Sequence, residues 1–291
     1  MADGSLTGKV ALITGGSRGM GREIALAYAR AGASGIVITA AAASDETRDE
    51  IESELAGVAW EIGSIIGTDR VLGLHADVTS WADCDGAVKR TVEKFGTLHI
   101  LFSVAGKSQR YHGARDLPFW ETDPEGWRLV IDTNVVGPYR MAKAAVPHML
   151  KAGWGRVINM SKGRDTMHEG FAGAYGPSKA ALEAQSLSWA EELADTAVTV
   201  NSIQPGGPVD TKFGRGRIRG EGMKADIVVP MALWLASTAS DGITGCRFES
   251  KLWDASLPPA EAAARCLEPP LFTVPKRKRK LTRAWGVTQW K

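Results

Sequence analysis

The stretch from Lys9 to Gly21 reads KVALITGGSRGMG and decides the fold class. Its first six residues form a short apolar run typical of a buried strand, and the residues that follow it, REIALAYARAG, have a helical pattern. Short apolar runs and longer helical patterns alternate in the same way almost to the end of the chain. This alternation predicts an α/β fold with a doubly wound parallel sheet and helices on both of its faces.

The same pattern predicts a sheet of about seven strands. After the first strand, the candidates begin near residues 36, 70, 98, 155, 197 and 246. Between the second and third of them, apolar side chains recur at spacings of four and three, as expected for one buried face of a helix: Ile51, Leu55, Val58, Ile62 and Ile65.

Length and charge predict one domain followed by a tail. The chain has 291 residues and a formal net charge of +2, which gives no reason to expect nucleic acid as a partner. We place the domain at residues 1–266 and a basic, disordered tail at residues 267–291, because the tail lacks apolar periodicity. Its cluster from Lys276 to Lys280 is also compatible with a nuclear localisation signal or a nucleic-acid patch.

Cysteine usage and the N-terminus predict a cytoplasmic protein. The three cysteines are isolated, with no CxxC pair and no histidine at a spacing that suits a metal, so we expect a reduced compartment and no metal site. The first residues lack the basic start and apolar run of a signal peptide, and no segment is long and apolar enough for a membrane span.

The glycine-rich turn after the first strand predicts a dinucleotide site. Glycines let the backbone turn sharply and approach a pyrophosphate, whose charge is favoured by the amide groups at the start of the following helix. The residues expected to hold the cofactor here are Gly15, Ser17, Arg18, Gly19, Met20 and Gly21.

A tyrosine and a lysine four residues apart predict an acid/base pair. Residues 160 to 179 read MSKGRDTMHEGFAGAYGPSK, ending with Tyr175 and Lys179 one helical turn apart. A tyrosine hydroxyl with its usual pKa near 10 exchanges protons poorly at neutral pH unless a neighbouring positive charge favours its anion. We therefore expect Lys179 to lower the pKa of Tyr175.

The turn spacing TGxxxGxG, with Tyr-x-x-x-Lys, resembles the short-chain dehydrogenase/reductase family of the classical type over about residues 7 to 250. The resemblance implies a Rossmann-type fold that binds NAD or NADP. It also implies that Asn134 bends its helix and holds a proton-relay water, and that Lys179 orients the cofactor ribose. Further cofactor contacts would come from Asp77, Val78, Ala105, Gly106, Pro205, Gly206 and Thr211.

The residue that holds the substrate oxygen is ambiguous in the sequence. In the family it is a serine, usually thirteen positions before the tyrosine, but Lys162 occupies that position here and Ser161 precedes it. A one-residue deletion in the intervening loop would restore Ser161 to the role. The alternatives are a substrate-facing Lys162 that donates a charged hydrogen bond, or the loss of ordinary redox chemistry.

Charge favours NADP as the cofactor, with NAD as the alternative. Family members that use NAD end their second strand with an acid that would repel a 2′-phosphate, whereas this chain has Ala40 and Ala41 there. Arg18 is positioned in the turn to contact such a phosphate.

The resemblance therefore implies an oxidoreductase that moves a hydride between NADP(H) and a small-molecule carbonyl or secondary alcohol, working as a homodimer or homotetramer. Tyr175, Lys179, Ser161 and Asn134 are the expected catalytic residues. A non-redox enzyme of the same fold, an isomerase or dehydratase, is one alternative. A catalytically weak nucleotide-binding sensor or scaffold is the other.

Overall fold

The computed structural model describes residues 4–108, 117–214 and 221–272. Within these ranges the chain forms one sheet of eight strands. The strands are β1 (Val10–Thr14), β2 (Gly35–Ala40), β3 (Val71–His75), β4 (Ile100–Ser103), β5 (Gly155–Met160), β6 (Val198–Gln204), β7 (Arg247–Glu249) and β8 (Leu267–Glu268).

The strand order is β3-β2-β1-β4-β5-β6-β7-β8, and every neighbouring pair is parallel except β7 with β8. The chain winds outward from β1 in one direction and then outward from β4 in the other. The point where the direction changes, between β1 and β4, is where ligands bind in sheets of this kind. The predicted doubly wound, Rossmann-type sheet is confirmed.

Helices cover both faces of the sheet in the described residues. They are α1 (Gly19–Arg30), α2 (Arg48–Ile66), α3 (Trp81–Phe95), α4 (Pro124–Ile131), α5 (Gly137–Ala152), α6 (Tyr175–Glu192), α7 (Val229–Ala236) and α8 (Pro259–Cys266). One apolar core packs the sheet against α1, α2, α7 and α8, and a second packs it against α3, α5 and α6. The central strands are buried on both faces, which explains their continuous apolar runs.

Two details differ from the sequence prediction. On α2, Ile51, Leu55, Val58 and Ile62 are buried as predicted, but Ile65 is 42% exposed because the neighbouring Ile66 is the residue that packs against the core in the last turn.

The second difference is at the predicted domain boundary. Leu267 and Glu268 were placed in the tail, yet they pair antiparallel with Phe248 and Arg247 as the eighth strand. Two residues are too few for an alternating pattern, so the strand was not detectable. Residues 273–291, which include the basic cluster, lie outside the described part of the chain. No helix in the described ranges is long and apolar enough to cross a membrane.

Candidate active site

The predicted site residues surround one cleft of about 1060 Å³ at the carboxyl ends of the parallel strands. Nearly all of them line it: Gly15, Ser17, Arg18, Gly19, Met20, Asp77, Val78, Ala105, Gly106, Ser161, Tyr175, Lys179, Pro205, Gly206 and Thr211. Gly21 and Asn134 are the two that do not, and both lie directly behind the lining. The structure therefore brings the sequence-predicted residues together around one cleft, and their roles stay predictions.

The glycine turn connects β1 to α1 in a conformation that side chains would block. Gly15 and Gly19 have positive φ angles of 67° and 54°, in the left-handed region that favours glycine. A Cβ on Gly21 would lie 2.1 Å from the carbonyl oxygen of Gly15, so this glycine is needed for the turn to pack against the first turn of α1. The arrangement leaves backbone amides at a helix N-terminus, which is a favourable place for phosphate groups.

The acidic side chain of Glu54 on α2 engages this turn. The Ser17 hydroxyl donates to Glu54 Oε2 at 3.2 Å, and Arg18 Nη1 lies 3.4 Å from Oε1. From the loop after β6, Lys212 Nζ reaches the same carboxylate at 2.9 Å and Glu50 at 3.2 Å. Both basic groups nearest the turn therefore have carboxylate partners.

The ends of β1 and β4 are joined by Thr14. Its hydroxyl oxygen accepts hydrogen bonds from the backbone N–H groups of Val104 and Ala105 at 3.1 and 3.2 Å. After β3, Asp77 Oδ1 accepts from the Thr79 backbone N–H at 2.8 Å, so the aspartate is fixed where the chain leaves the sheet. These contacts give the β1–β4 crevice a preformed edge.

Asn134 lies in a π-helical turn, Asp132–Val136, between α4 and α5. Its side chain is fully buried: Oδ1 accepts from the Lys107 N–H at 2.8 Å, and Nδ2 donates to the Lys107 carbonyl at 2.9 Å and to Ser178 Oγ at 3.0 Å. The turn is the local distortion expected of this asparagine. Asn134 thereby joins the segment after β4 to α6.

Tyr175 and Lys179 occupy the first turn of α6, at the cleft. Lys179 Nζ donates to the Met160 carbonyl at 2.8 Å and lies 5.9 Å from the centroid of the Tyr175 ring. Burial lowers the pKa of Lys179 to about 8, against the raising effect of Glu183. Burial also raises the pKa of Tyr175 to about 12. Desolvation of the Tyr175 hydroxyl therefore opposes the lowering of its pKa that was expected from Lys179.

Ser161 and Lys162 both line the cleft. Ser161 is 3% exposed, and its Oγ accepts from Arg247 Nη1 at 3.4 Å. Lys162 Nζ donates to the Thr166 carbonyl at 2.8 Å and lies 5.3 Å from the Tyr175 ring centroid, and burial lowers its pKa. Both residues follow the end of β5 at Met160 and so lie outside the extended strand.

The loop after β6 forms the opposite wall of the cleft. Gly206 has a φ of 101°, and its N–H donates to Gln204 Oε1 at 2.7 Å. Thr211 packs over the glycine turn, since a Cβ on Gly19 would lie 3.2 Å from its Cγ2. The ring centroid of Phe213 lies 5.8 Å from that of Tyr175.

Sequence reasoning missed the polar residues behind the site. Arg247 was placed only within a predicted strand, and neither Glu183 nor Glu54 was singled out. A charged residue within a short run expected to be a buried strand was the available signal for Arg247. In the described ranges there is no group of three His, Cys, Asp or Glu side chains that could hold a metal ion.

Comparison with known proteins gives a family match over most of the chain. A family model described as short chain dehydrogenase matches residues 9–221. Trans-4-hydroxycyclohexanecarboxylate dehydrogenase from Sinomonas cyclohexanicum is 34% identical over 244 residues, covering 81% of this chain and 89% of the relative. A 3-oxoacyl-[acyl-carrier-protein] reductase from Synechocystis is 32% identical over 202 residues, covering 69% of this chain and 75% of the relative.

Among solved structures, a short chain dehydrogenase from Shigella flexneri complexed with NADP has a TM-score of 0.73 and 25% sequence identity. The match covers 86% of this chain and 100% of that one.

Proposed function

The chain belongs to the short-chain dehydrogenase/reductase family, and we propose that it is an NADP(H)-dependent oxidoreductase that interconverts a carbonyl and a secondary alcohol. The observation that carries the proposal is that Tyr175 and Lys179 line the same cleft as the glycine turn. The relatives support the reaction class, since one sequence relative is named a dehydrogenase and the other a reductase.

The residues present fit a dinucleotide. The segments that follow β1 and β4 lie so close together that a Cβ on Gly15 would lie 2.9 Å from the Ala105 nitrogen. Only a glycine fits at this position. The turn, Asp77 with Val78, Ala105 with Gly106, and the loop from Pro205 to Thr211 would hold the cofactor. When bound, it supplies or accepts the hydride.

Tyr175 is the proton donor and acceptor at the substrate oxygen in this proposal. Its hydroxyl, with a pKa raised to about 12 by burial, is protonated at neutral pH and is therefore ready to donate in the direction of carbonyl reduction. Lys179 orients the ribose. Asn134 fixes the segment that follows β4 against α6 and, as the family implies, supports a proton relay.

The oxygen-holding group is Ser161 in this proposal. It sits at the end of β5 with its oxygen accepting from Arg247, an arrangement that leaves the hydroxyl proton for another acceptor. Lys162 is the alternative because its ammonium group also reaches the region of the Tyr175 ring. Thr166 and Glu169 already engage that ammonium group, which favours Ser161.

The substrate end of the cleft combines aromatic and charged groups. Phe171 and Phe213 are exposed there, and Lys162 adds a positive charge. The relative named for trans-4-hydroxycyclohexanecarboxylate acts on a cyclic alcohol with a carboxylate. Cyclic ketones with and without a carboxylate are therefore the first compounds to examine.

The test is a panel of carbonyl compounds assayed with NADPH and NADH, with cofactor oxidation followed by absorbance. We expect NADPH oxidation with at least one ketone. Tight cofactor binding without turnover across the panel would favour a non-redox enzyme or a sensor instead. Cytoplasmic localisation and a homodimeric or homotetrameric state stay predictions from the sequence.

A further inference from the structure

Arg247 is a fully buried charge directly behind the candidate active site. It lies on β7 and is 2% exposed. Its Nη1 donates to Glu183 Oε1 on α6 at 2.5 Å, and its Nη2 donates to the Lys162 carbonyl at 2.6 Å. Its Nε lies 2.8 Å from Glu268 Oε2 on β8. One guanidinium thus joins the end of β5 to α6 and β8.

A buried ionic group of this kind is weak evidence for stability. Removing a guanidinium and two carboxylates from water carries a large desolvation penalty. Apolar side chains of similar volume at the same positions would often give an equally stable or more stable protein. Packing alone therefore does not account for Arg247, and its contacts point to the site. They reach the backbone of Lys162 and the side chain of Ser161, the two candidates for holding the substrate oxygen.

The contact with Ser161 sets the direction of a hydroxyl group. An arginine can only donate hydrogen bonds, whereas a serine hydroxyl has one proton to donate and two lone pairs. Because Arg247 Nη1 donates to Ser161 Oγ at 3.4 Å, it occupies a lone pair and the serine proton must point elsewhere. Ser161 lines the cleft, where a substrate oxygen is the natural acceptor.

We propose that Arg247 is a positioning residue that holds Ser161 with its hydroxyl proton directed into the cleft, so that Ser161 donates to the substrate oxygen. This proposal rests on the proposed role of Ser161. The positive charge beside Oγ also makes the hydroxyl a stronger donor. Glu183 and Glu268 hold the guanidinium from the two other sides, and Glu268 further accepts from Gln204 at 3.2 Å.

The test is a double-mutant cycle of Arg247→Lys and Ser161→Ala, assayed with the full chain on a carbonyl that the wild type reduces. A lysine keeps the charge but cannot span all of these partners. Ser161→Ala should lower kcat on the order of a hundredfold, the usual cost of losing an oxygen-stabilising donor. Arg247→Lys should lower kcat roughly tenfold through misplacement of that donor, with the Kd for NADPH unchanged. In the double variant, Arg247→Lys should add nothing further.

The matched control is Arg156→Lys. Arg156 is 1% exposed, lies at the opposite end of β5 from Ser161 and pairs with Asp241. The same substitution there should lower Tm without lowering kcat. Arg247→Gln, which keeps an N–H donor without the charge, enters the same cycle if the lysine variant does not fold.

Three outcomes would overturn the proposal. One is an unchanged kcat in Arg247→Lys. Another is that Arg247→Lys lowers kcat by the same factor in the Ser161→Ala background as in the wild type. A third is that Arg156→Lys lowers kcat as much as Arg247→Lys does when both variants lose the same amount of Tm. An unchanged kcat in Ser161→Ala is distinguishable from all three, because it would remove the serine from the proposed mechanism itself.

Discussion

Lys179, the lysine of the proposed acid/base pair, is buried at a cost in stability. Its side chain is 4% exposed, and burial lowers its pKa from the usual 10.5 to about 8. Below pH 8 the folded protein therefore keeps a desolvated charge that the unfolded chain exposes to water. Glu183 offsets part of this cost, but that carboxylate also pairs with Arg247.

We predict that Lys179→Met stabilises the protein while abolishing activity. The pKa is lower in the folded state, so stability rises with pH between about 8 and 10.5, and the cost is complete below pH 8. The shift from 10.5 to about 8 corresponds to about 3.4 kcal/mol, at about 1.4 kcal/mol per pKa unit. At pH 7 we therefore expect Tm to rise by roughly 7 to 14 °C, at about 2–4 °C per kcal/mol. The gain should shrink as pH rises towards 10.

Thermal unfolding at pH 7, 8.5 and 10 measures the effect, with Lys151→Met, an exposed lysine on α5, as the control. A difference in Tm between variant and wild type that is independent of pH would show that burial of the charge is not the cause.

The sequence could place the tyrosine and the lysine near each other because their spacing requires only a helix. The sequence also led to the expectation that Lys179 lowers the pKa of Tyr175. Burial, which depends on residues far away in the chain, instead raises that pKa. Ser161 and Lys162 show the same limit. Their distances in sequence from Tyr175 could not decide which of them holds the substrate oxygen. The structure places both at the cleft, because β5 ends at Met160, just before them.

At the scale of elements, α2 and the loop after β6 meet across the cofactor end of the cleft. Glu54 of α2 contacts Ser17, Arg18 and Lys212 together. A 2′-phosphate on the cofactor would compete with this carboxylate for the two basic residues. The same carboxylate would repel the phosphate, so Glu54 should weaken the preference for NADP that we propose for Arg18.

We therefore predict opposite effects of two substitutions on NADPH affinity. Arg18→Ala should weaken NADPH binding by roughly tenfold, about 1.4 kcal/mol, and Glu54→Gln should strengthen it by a smaller factor. Neither should change NADH binding much, because NADH lacks the phosphate. Calorimetric titration of both cofactors measures this.

Glu61→Gln is the control, because Glu61 lies further along α2 and pairs with Arg22. Equal affinities of the wild type for NADPH and NADH would contradict the charge argument, as would an unchanged NADPH affinity in Arg18→Ala.

The elements themselves were largely predictable. All seven strands expected from apolar runs are present, since a strand buried on both faces needs a continuous apolar sequence. The eighth strand was not, because Leu267 and Glu268 are ordered by pairing with β7 and by the contact of Glu268 with Arg247. Two residues are too few to leave a local pattern.

At the scale of the whole molecule, the parallel sheet brings separate segments to one edge. The carboxyl ends of the strands supply the glycine turn, Asp77, the segment after β4, Ser161 and the loop after β6 to a single cleft. The buried guanidinium of Arg247 then ties the substrate side of that cleft to α6 and β8. We propose that this cleft carries out hydride transfer with Tyr175 as the proton donor and acceptor.

The most direct measurement of that claim is the kcat of Tyr175→Phe on a carbonyl reduced by the wild type, together with its Kd for NADPH. The substitution removes one hydroxyl oxygen and keeps the ring that packs near Phe213. We predict that kcat falls by at least about a hundredfold, as for the loss of a general acid, while the Kd stays unchanged. Turnover close to that of the wild type in Tyr175→Phe would contradict the role of Tyr175 as the proton donor and acceptor.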